Sequence, residues 1–66
     1  MQVQINGEVK ELPTHSSVAD VLALLAVTGR RVAVEVNLDI VPKSQHSTTV
    51  LKAGDKIEIV HAIGGG

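Results

Sequence analysis

The sequence contains no cysteine, no phenylalanine, tryptophan or tyrosine, and only two prolines. Without thiols there is no disulfide framework, no thiol nucleophile and no thiolate metal site. Without aromatic rings there are no stacking platforms for single-stranded nucleic acid, and 6 Lys and Arg against 7 Asp and Glu leave no basic field to hold phosphates. Nucleic acid is therefore not an expected partner. Long apolar runs are missing too: no stretch approaches the roughly 20 residues of a bilayer span. The opening Met1-Gln2-Val3-Gln4-Ile5 alternates polar and apolar residues and has neither a basic nor an apolar leader region. The expectation is a cytoplasmic chain, unprocessed at its N-terminus, with no membrane partner.

What is present, 66 residues that are 44% hydrophobic with a net charge of -1, suffices for one small domain. Such a chain buries only about 60% of the surface its unfolded form exposes. A core of this size rarely supplies more than about 3–5 kcal/mol, so every apolar position is needed for folding. No room remains for an enzyme with its own walled pocket.

Met1, Val3 and Ile5 repeat with period two, Asn6-Gly7 is a strong hairpin signal, and residues 8–12 resume as a second strand carrying Val9 and Leu12. The Val9 to Leu12 spacing breaks alternation and predicts a bulge or strand end near Glu11, before Pro13. Ser17-Val18-Ala19-Asp20 has the form of a capping box, so a helix starts there. Val18, Val21, Leu22 and Leu25 form its apolar stripe, Leu24 and Ala26 widen it, and Gly29 is placed to end a helix of about three turns.

Val32, Val34 and Val36 alternate with Arg31, Ala33 and Glu35, a half-buried strand. Asn37-Leu38-Asp39 is a turn, Ile40-Val41 a short strand stopped by Pro42, and residues 43–49 are polar with room for one helical turn. Lys52-Ala53-Gly54-Asp55 is a tight turn before a last strand. In that strand Ile57, Ile59, His61 and Ile63 share one face, and Lys56, Glu58, Val60 and Ala62 the other. The predicted core is Val3, Ile5, Val18, Val21, Leu22, Leu25, Val34, Val36, Ile57 and Ile59.

Hairpin, helix, hairpin and strand, with one helix to cover one sheet face, predict a two-layer α+β domain. The last strand then lies beside the first, in a mixed sheet of four to five strands. This is the β-grasp arrangement, expected over residues 1–63, with residues 64–66 as a mobile glycine tail.

Val32-Ala33-Val34-Glu35-Val36-Asn37, Ile40-Val41-Pro42, Leu51-Lys52-Ala53-Gly54-Asp55-Lys56-Ile57-Glu58-Ile59 and a terminal Gly65-Gly66 follow in order. Together, over the whole chain, they resemble the ThiS family of bacterial sulfur carriers in thiamine biosynthesis, although this chain ends in three glycines and lacks aromatic residues. The resemblance implies a ubiquitin-like β-grasp whose Gly66 carboxylate is adenylated by an E1-like adenylyltransferase with MgATP. A persulfide sulfur donor then converts it to a thiocarboxylate, which passes sulfur to thiazole synthase. No cofactor of the chain's own is implied. The chain would be substrate and carrier, not an enzyme.

Elementary chemistry accounts for the tail independently. A main-chain carboxylate, with a reference pKa of roughly 3.3–3.7, is an inert anion at neutral pH until its oxygen becomes a leaving group. Glycines at Gly64 and Gly65 let the segment thread a narrow channel, and Gly66 has no Cβ to hinder attack on its carbonyl. The plainer alternative is an unordered chain end. Val60, Ala62, Ile63 and Ala33 are the candidate partner-docking residues, because Val60, Ala62 and Ala33 share the face opposite the core near the tail.

His15, His46 and His61 match no metal-ligand spacing and are expected as two surface residues and one at a strand end. Asp20, Asp39 and Asp55 fall at caps and turns, with local backbone roles. Two other readings keep the same fold. One is a carrier for another pathway, like the small subunit of molybdopterin synthase; the other is a ubiquitin-like modifier whose Gly66 ends on a lysine amine.

Overall fold

In the computed structural model, residues 1–25 and 32–61 are described. Strand β1 (Gln2–Ile5) is followed by β2 (Glu8–Glu11), helix α1 (Val18–Leu24), β3 (Val32–Val36), β4 (Asp39–Val41), a single 3₁₀ turn (Lys43–Gln45) and β5 (Lys56–His61). One five-stranded sheet has the order β2-β1-β5-β3-β4. The last strand lies in the middle, parallel to β1 and antiparallel to β3.

Both hairpins close through two-residue turns whose residues have positive φ: Asn6 at 51° and Gly7 at 85°, Asn37 at 52° and Leu38 at 73°. Turns with positive φ at both central residues match the right-handed twist of the flanking strands, and asparagine and glycine occupy that region at low cost. The first hairpin pairs Gln2 with Glu11 through Ile5 with Glu8 without interruption. The broken alternation at Val9 thus marks a strand end, not a bulge. Val9 lies opposite Gln4 on the outer face, 61% exposed, while Leu12, past the end of β2, turns back into the core.

The capping box forms as the sequence predicts. Ser17 Oγ accepts from Asp20 N–H at 3.1 Å, and the Asp20 carboxylate accepts from Ser17 N–H at 2.9 Å. The two preceding helix donors, which no residue of the helix can satisfy, find loop carbonyls: Val18 N–H donates to Thr49 and Ala19 N–H to His46, at 3.0 and 2.9 Å. The helix is shorter than the expected three turns. It spans seven residues, and Leu25 is its C-cap with φ -86° and ψ 2°. Ala26, Gly29 and Arg31 lie outside the described residues.

The core comprises Val3, Ile5, Leu12, Val18, Val21, Leu22, Val34, Val41, Leu51, Ile57 and Ile59. Two residues of the predicted core fall short. Leu25 is exposed because the helix has already ended, and Val36, at the mouth of the second turn, is only partly buried. Leu24 does not widen the apolar stripe; it faces outward at 65% exposure. Leu12, Val41 and Leu51 enter the core from strand ends and loops, where periodicity gives no signal.

His46 corrects the expectation of a surface residue. It is buried, its backbone carbonyl caps α1, and its ring Nε2 lies 3.1 Å from the Val41 carbonyl oxygen. A carbonyl only accepts, so this contact places the proton on Nε2. The ring thereby ties the end of β4 to the loop that caps the helix.

Leu22→Ala should cost about 2–5 kcal/mol, because its side chain lies inside the core. Leu24→Ala, on the opposite side of the helix, should stay within about 0.5 kcal/mol. Denaturant unfolding of the two variants checks this placement of the stripe, and equal losses would contradict it.

Candidate functional site

The inner face of the sheet is occupied by core side chains, so the accessible side chains of the sheet lie on its outer face. Alternation places Lys56, Glu58 and Val60 of β5 on the outer face, with Ala33 and Glu35 of β3. Antiparallel pairing sets Ala33 directly opposite Val60 and Glu35 directly opposite Glu58. Ala33 and Val60 are both exposed, Val60 at 57%. Two of the candidate docking residues thus form one small apolar pair beside the end of β5. Ala62, Ile63, Gly64, Gly65 and Gly66 lie outside the described residues.

Next to this pair, two carboxylates face each other across the strands. Like charges directly opposite are unfavourable, and neither Glu35 nor Glu58 has an ion-pair partner among the described residues. Sequence reading did not single them out. Their meeting depends on the β3–β5 register, which alternation along either strand alone does not fix.

No internal catalytic constellation emerges among the described residues. A shallow cleft of about 270 Å³ brings His15, Ser16 and Asp20 into one lining. Ser16 Oγ, however, donates to the Pro13 carbonyl at 2.7 Å, and the Asp20 carboxylate is held by the capping box. Both groups have backbone roles. Asp55 likewise accepts from Lys52 N–H at 2.8 Å and from Asn37 Nδ2 at 3.0 Å, the turn role expected of it. Asp39 opens β4 opposite Val36. No group of three or more His, Asp or Glu side chains among the described residues is placed to hold a metal ion.

A mixed sheet with β5 in the middle, crossed by one helix, defines a ubiquitin-like β-grasp domain over the described residues. Comparison with known proteins gives the family. The profile of the ThiS family matches residues 3–66. The chain is 37% identical over 65 residues to the sulfur carrier protein ThiS of Bacillus subtilis, covering 97% of this chain and 98% of that one. It is 47% identical over 66 residues to a thiazole synthase of Paramagnetospirillum magneticum, all of this chain but only 20% of that longer protein. The crystal structure of the thiamine biosynthesis protein ThiS from Geobacter metallireducens superposes with a TM-score of 0.86 at 28% identity, covering 100% of both chains. This chain belongs to the ThiS family.

Replacing Glu35 by lysine converts the repulsive cross-strand pair into an attractive one. It should raise stability by about 0.2–1 kcal/mol, read as a higher denaturation midpoint that falls back with added salt. An unchanged midpoint at low salt would show that the two carboxylates do not meet.

Proposed function

We propose that the Gly66 carboxylate is the working group of this chain and that it carries sulfur for thiazole formation. In this reading residues 1–63 are the body that a partner recognises, and residues 64–66 are the tail that enters the partner's active site. An E1-like adenylyltransferase binds MgATP; the carboxylate oxygen attacks the α-phosphorus and pyrophosphate leaves. The terminal sulfur of a persulfide donor then attacks the acyl carbon and AMP departs; a second thiol of the partner attacks the donor-side sulfur of the acyl disulfide, forming a new disulfide and releasing the thiocarboxylate. The chain itself needs no bound cofactor for this.

The observation that carries this reading is the family match, which runs through the glycines of a chain whose central strand, β5, leads towards them. The exposed Ala33–Val60 pair supports docking of the adenylyltransferase on the outer face, and Ala62 and Ile63 are proposed as docking residues from the sequence alone. Two relatives that contain a matching segment, from Paramagnetospirillum magneticum and Magnetococcus marinus, are thiazole synthases. They favour thiazole synthase as the acceptor of the sulfur over a molybdopterin or protein-conjugation pathway. Location is proposed as cytoplasmic, where ATP is available; no helix among the described residues is long and apolar enough to cross a membrane.

ATP–pyrophosphate exchange with the adenylyltransferase tests the assignment of Gly66. The unaltered chain should support exchange, whereas deletion of Gly65-Gly66 or addition of one residue after Gly66 should abolish it. Misplacing a reacting atom by about 1 Å already costs roughly 10²-fold in rate. Undiminished exchange by the truncated chain would overturn the proposal.

Val60→Asp should weaken the encounter by about 2 kcal/mol, through the desolvation of a charge in an apolar contact. The fold should be retained, because that charge faces water in the free chain. Native affinity in this variant would remove the Ala33–Val60 surface from the docking account.

A further inference from the structure

Strand β5 is satisfied unequally on its two sides. Towards β3 its pairing runs from Val36 opposite Ile57 to Val32 opposite His61. Towards β1 the strand ladder covers only Gln4 with Lys56 and Ile5 with Ile57. Its backbone bonds run from Gln4 N–H to the Asp55 carbonyl and from Asn6 N–H to the Ile57 carbonyl, both at 2.9 Å. There β1 ends and the chain turns away through Asn6-Gly7. Among the described residues no strand continues that side of β5 past Ile57.

The next rung is made by a side chain. Ile59 N–H donates to Asn6 Oδ1 at 2.8 Å, and Asn6 Nδ2 donates to the Ile59 carbonyl at 3.3 Å. A primary amide offers one acceptor and one donor at the spacing of a peptide group, so Asn6 stands in for the residue that β1 lacks. An ionised carboxylate at this position could not reproduce both bonds at neutral pH, because it only accepts. The second hairpin contains a counterpart at the opposite end of β5. Asn37, also the first residue of a turn with positive φ, donates its N–H to the Lys56 carbonyl at 2.8 Å and accepts from Lys56 N–H through Oδ1 at 3.0 Å. Asn6 fixes the end of β5 from which residues 62–66 depart, and Asn37 fixes the end remote from them.

The geometry assigns Asn6 a positioning role: by completing the β1 side of β5 at Ile59, it fixes the point from which the C-terminal glycines enter a partner's active site. This inference rests on the proposed activation of Gly66. A threaded segment of glycines has length but no side chains to steer it, so the place where it leaves the sheet decides where its carboxylate arrives. With β5 held on one side only, its last residues can splay from β1 while the Ala33–Val60 contact towards β3 stays in place. Docking would persist, and delivery of the carboxylate would suffer.

Asn6→Gly and Asn37→Gly make the test, because glycine keeps the positive φ of either turn and removes only the amide. Both should lower the denaturation midpoint to a similar degree. In ATP–pyrophosphate exchange with the adenylyltransferase, Asn6→Gly should lower kcat by roughly tenfold or more with KM for the chain within about twofold, and Asn37→Gly should leave kcat within about twofold. In the free chain, amide hydrogen exchange at Ile59, whose N–H bonds Asn6 Oδ1, should accelerate by about tenfold in Asn6→Gly relative to Asn37→Gly. Asn6→Asp, which keeps an acceptor for Ile59 N–H and loses the donor, should fall in the same direction and serves if the glycine variant does not fold. Equal kcat for the Asn6 and Asn37 variants, or a loss confined to KM, would overturn the positioning role. If the unaltered chain supports no exchange, the activation of Gly66 is what fails. The clamp is then judged on the Ile59 amide, and unchanged protection there overturns it.

Discussion

A strand in the middle of a sheet must satisfy two rows of backbone donors and acceptors, and here β5, the last of the described strands, carries that requirement. β5 is bonded to β1 on one side and to β3 on the other, and neither hairpin alone could hold a sheet together in water. Ile57 and Ile59, the inward residues of β5, meet Val3, Ile5 and Val34 of its neighbours in one core, so pairing and burial depend on the same register. A one-residue slip would move the two isoleucines to the outer face and bring Glu58 inward. In a domain this small, that exchange exceeds the whole stability available.

The helix is tied to the sheet by a comparable economy. Its seven residues are too few to persist alone, and its first-turn donors are met by Ser17 and by the carbonyls of His46 and Thr49. Leu51 N–H returns a bond to the Ser16 carbonyl at 2.8 Å, closing the loop against the chain just before the helix. The polar stretch after β4 is therefore structural: it caps the helix, buries His46 and sets Leu51 into the core before the turn at Gly54, where φ is 88°.

Local signals in the sequence were readable because local physics decides them. Period two in β1, β3 and β5, the Asn-Gly turn, the capping box and the glycine of the last turn all depend on neighbours within a few residues. Leu12, Val41, Leu51 and His46 escaped because their burial is set by contacts across the fold. Leu25 failed in the other direction, since the apolar stripe continues in sequence beyond the point where the helix ends. Of the candidate surface, the parity of Ala33 and Val60 was legible, while the meeting of Glu35 with Glu58 required the strand register. Asn6 is the most instructive case. Asn-Gly announces a turn, and nothing near it in sequence discloses that its amide bonds a strand 53 residues away.

In sequence, β5 of this ThiS-family chain precedes Gly66, the carboxylate proposed to carry sulfur. The most direct measurement is the intact mass of the chain after incubation with the adenylyltransferase, MgATP and a persulfide donor, followed by alkylation and fragmentation to locate the change. Exchange of one oxygen for one sulfur, with the alkyl group found on Gly66, is the predicted result. Sulfur found elsewhere, or a product heavier by a whole protein, would contradict it.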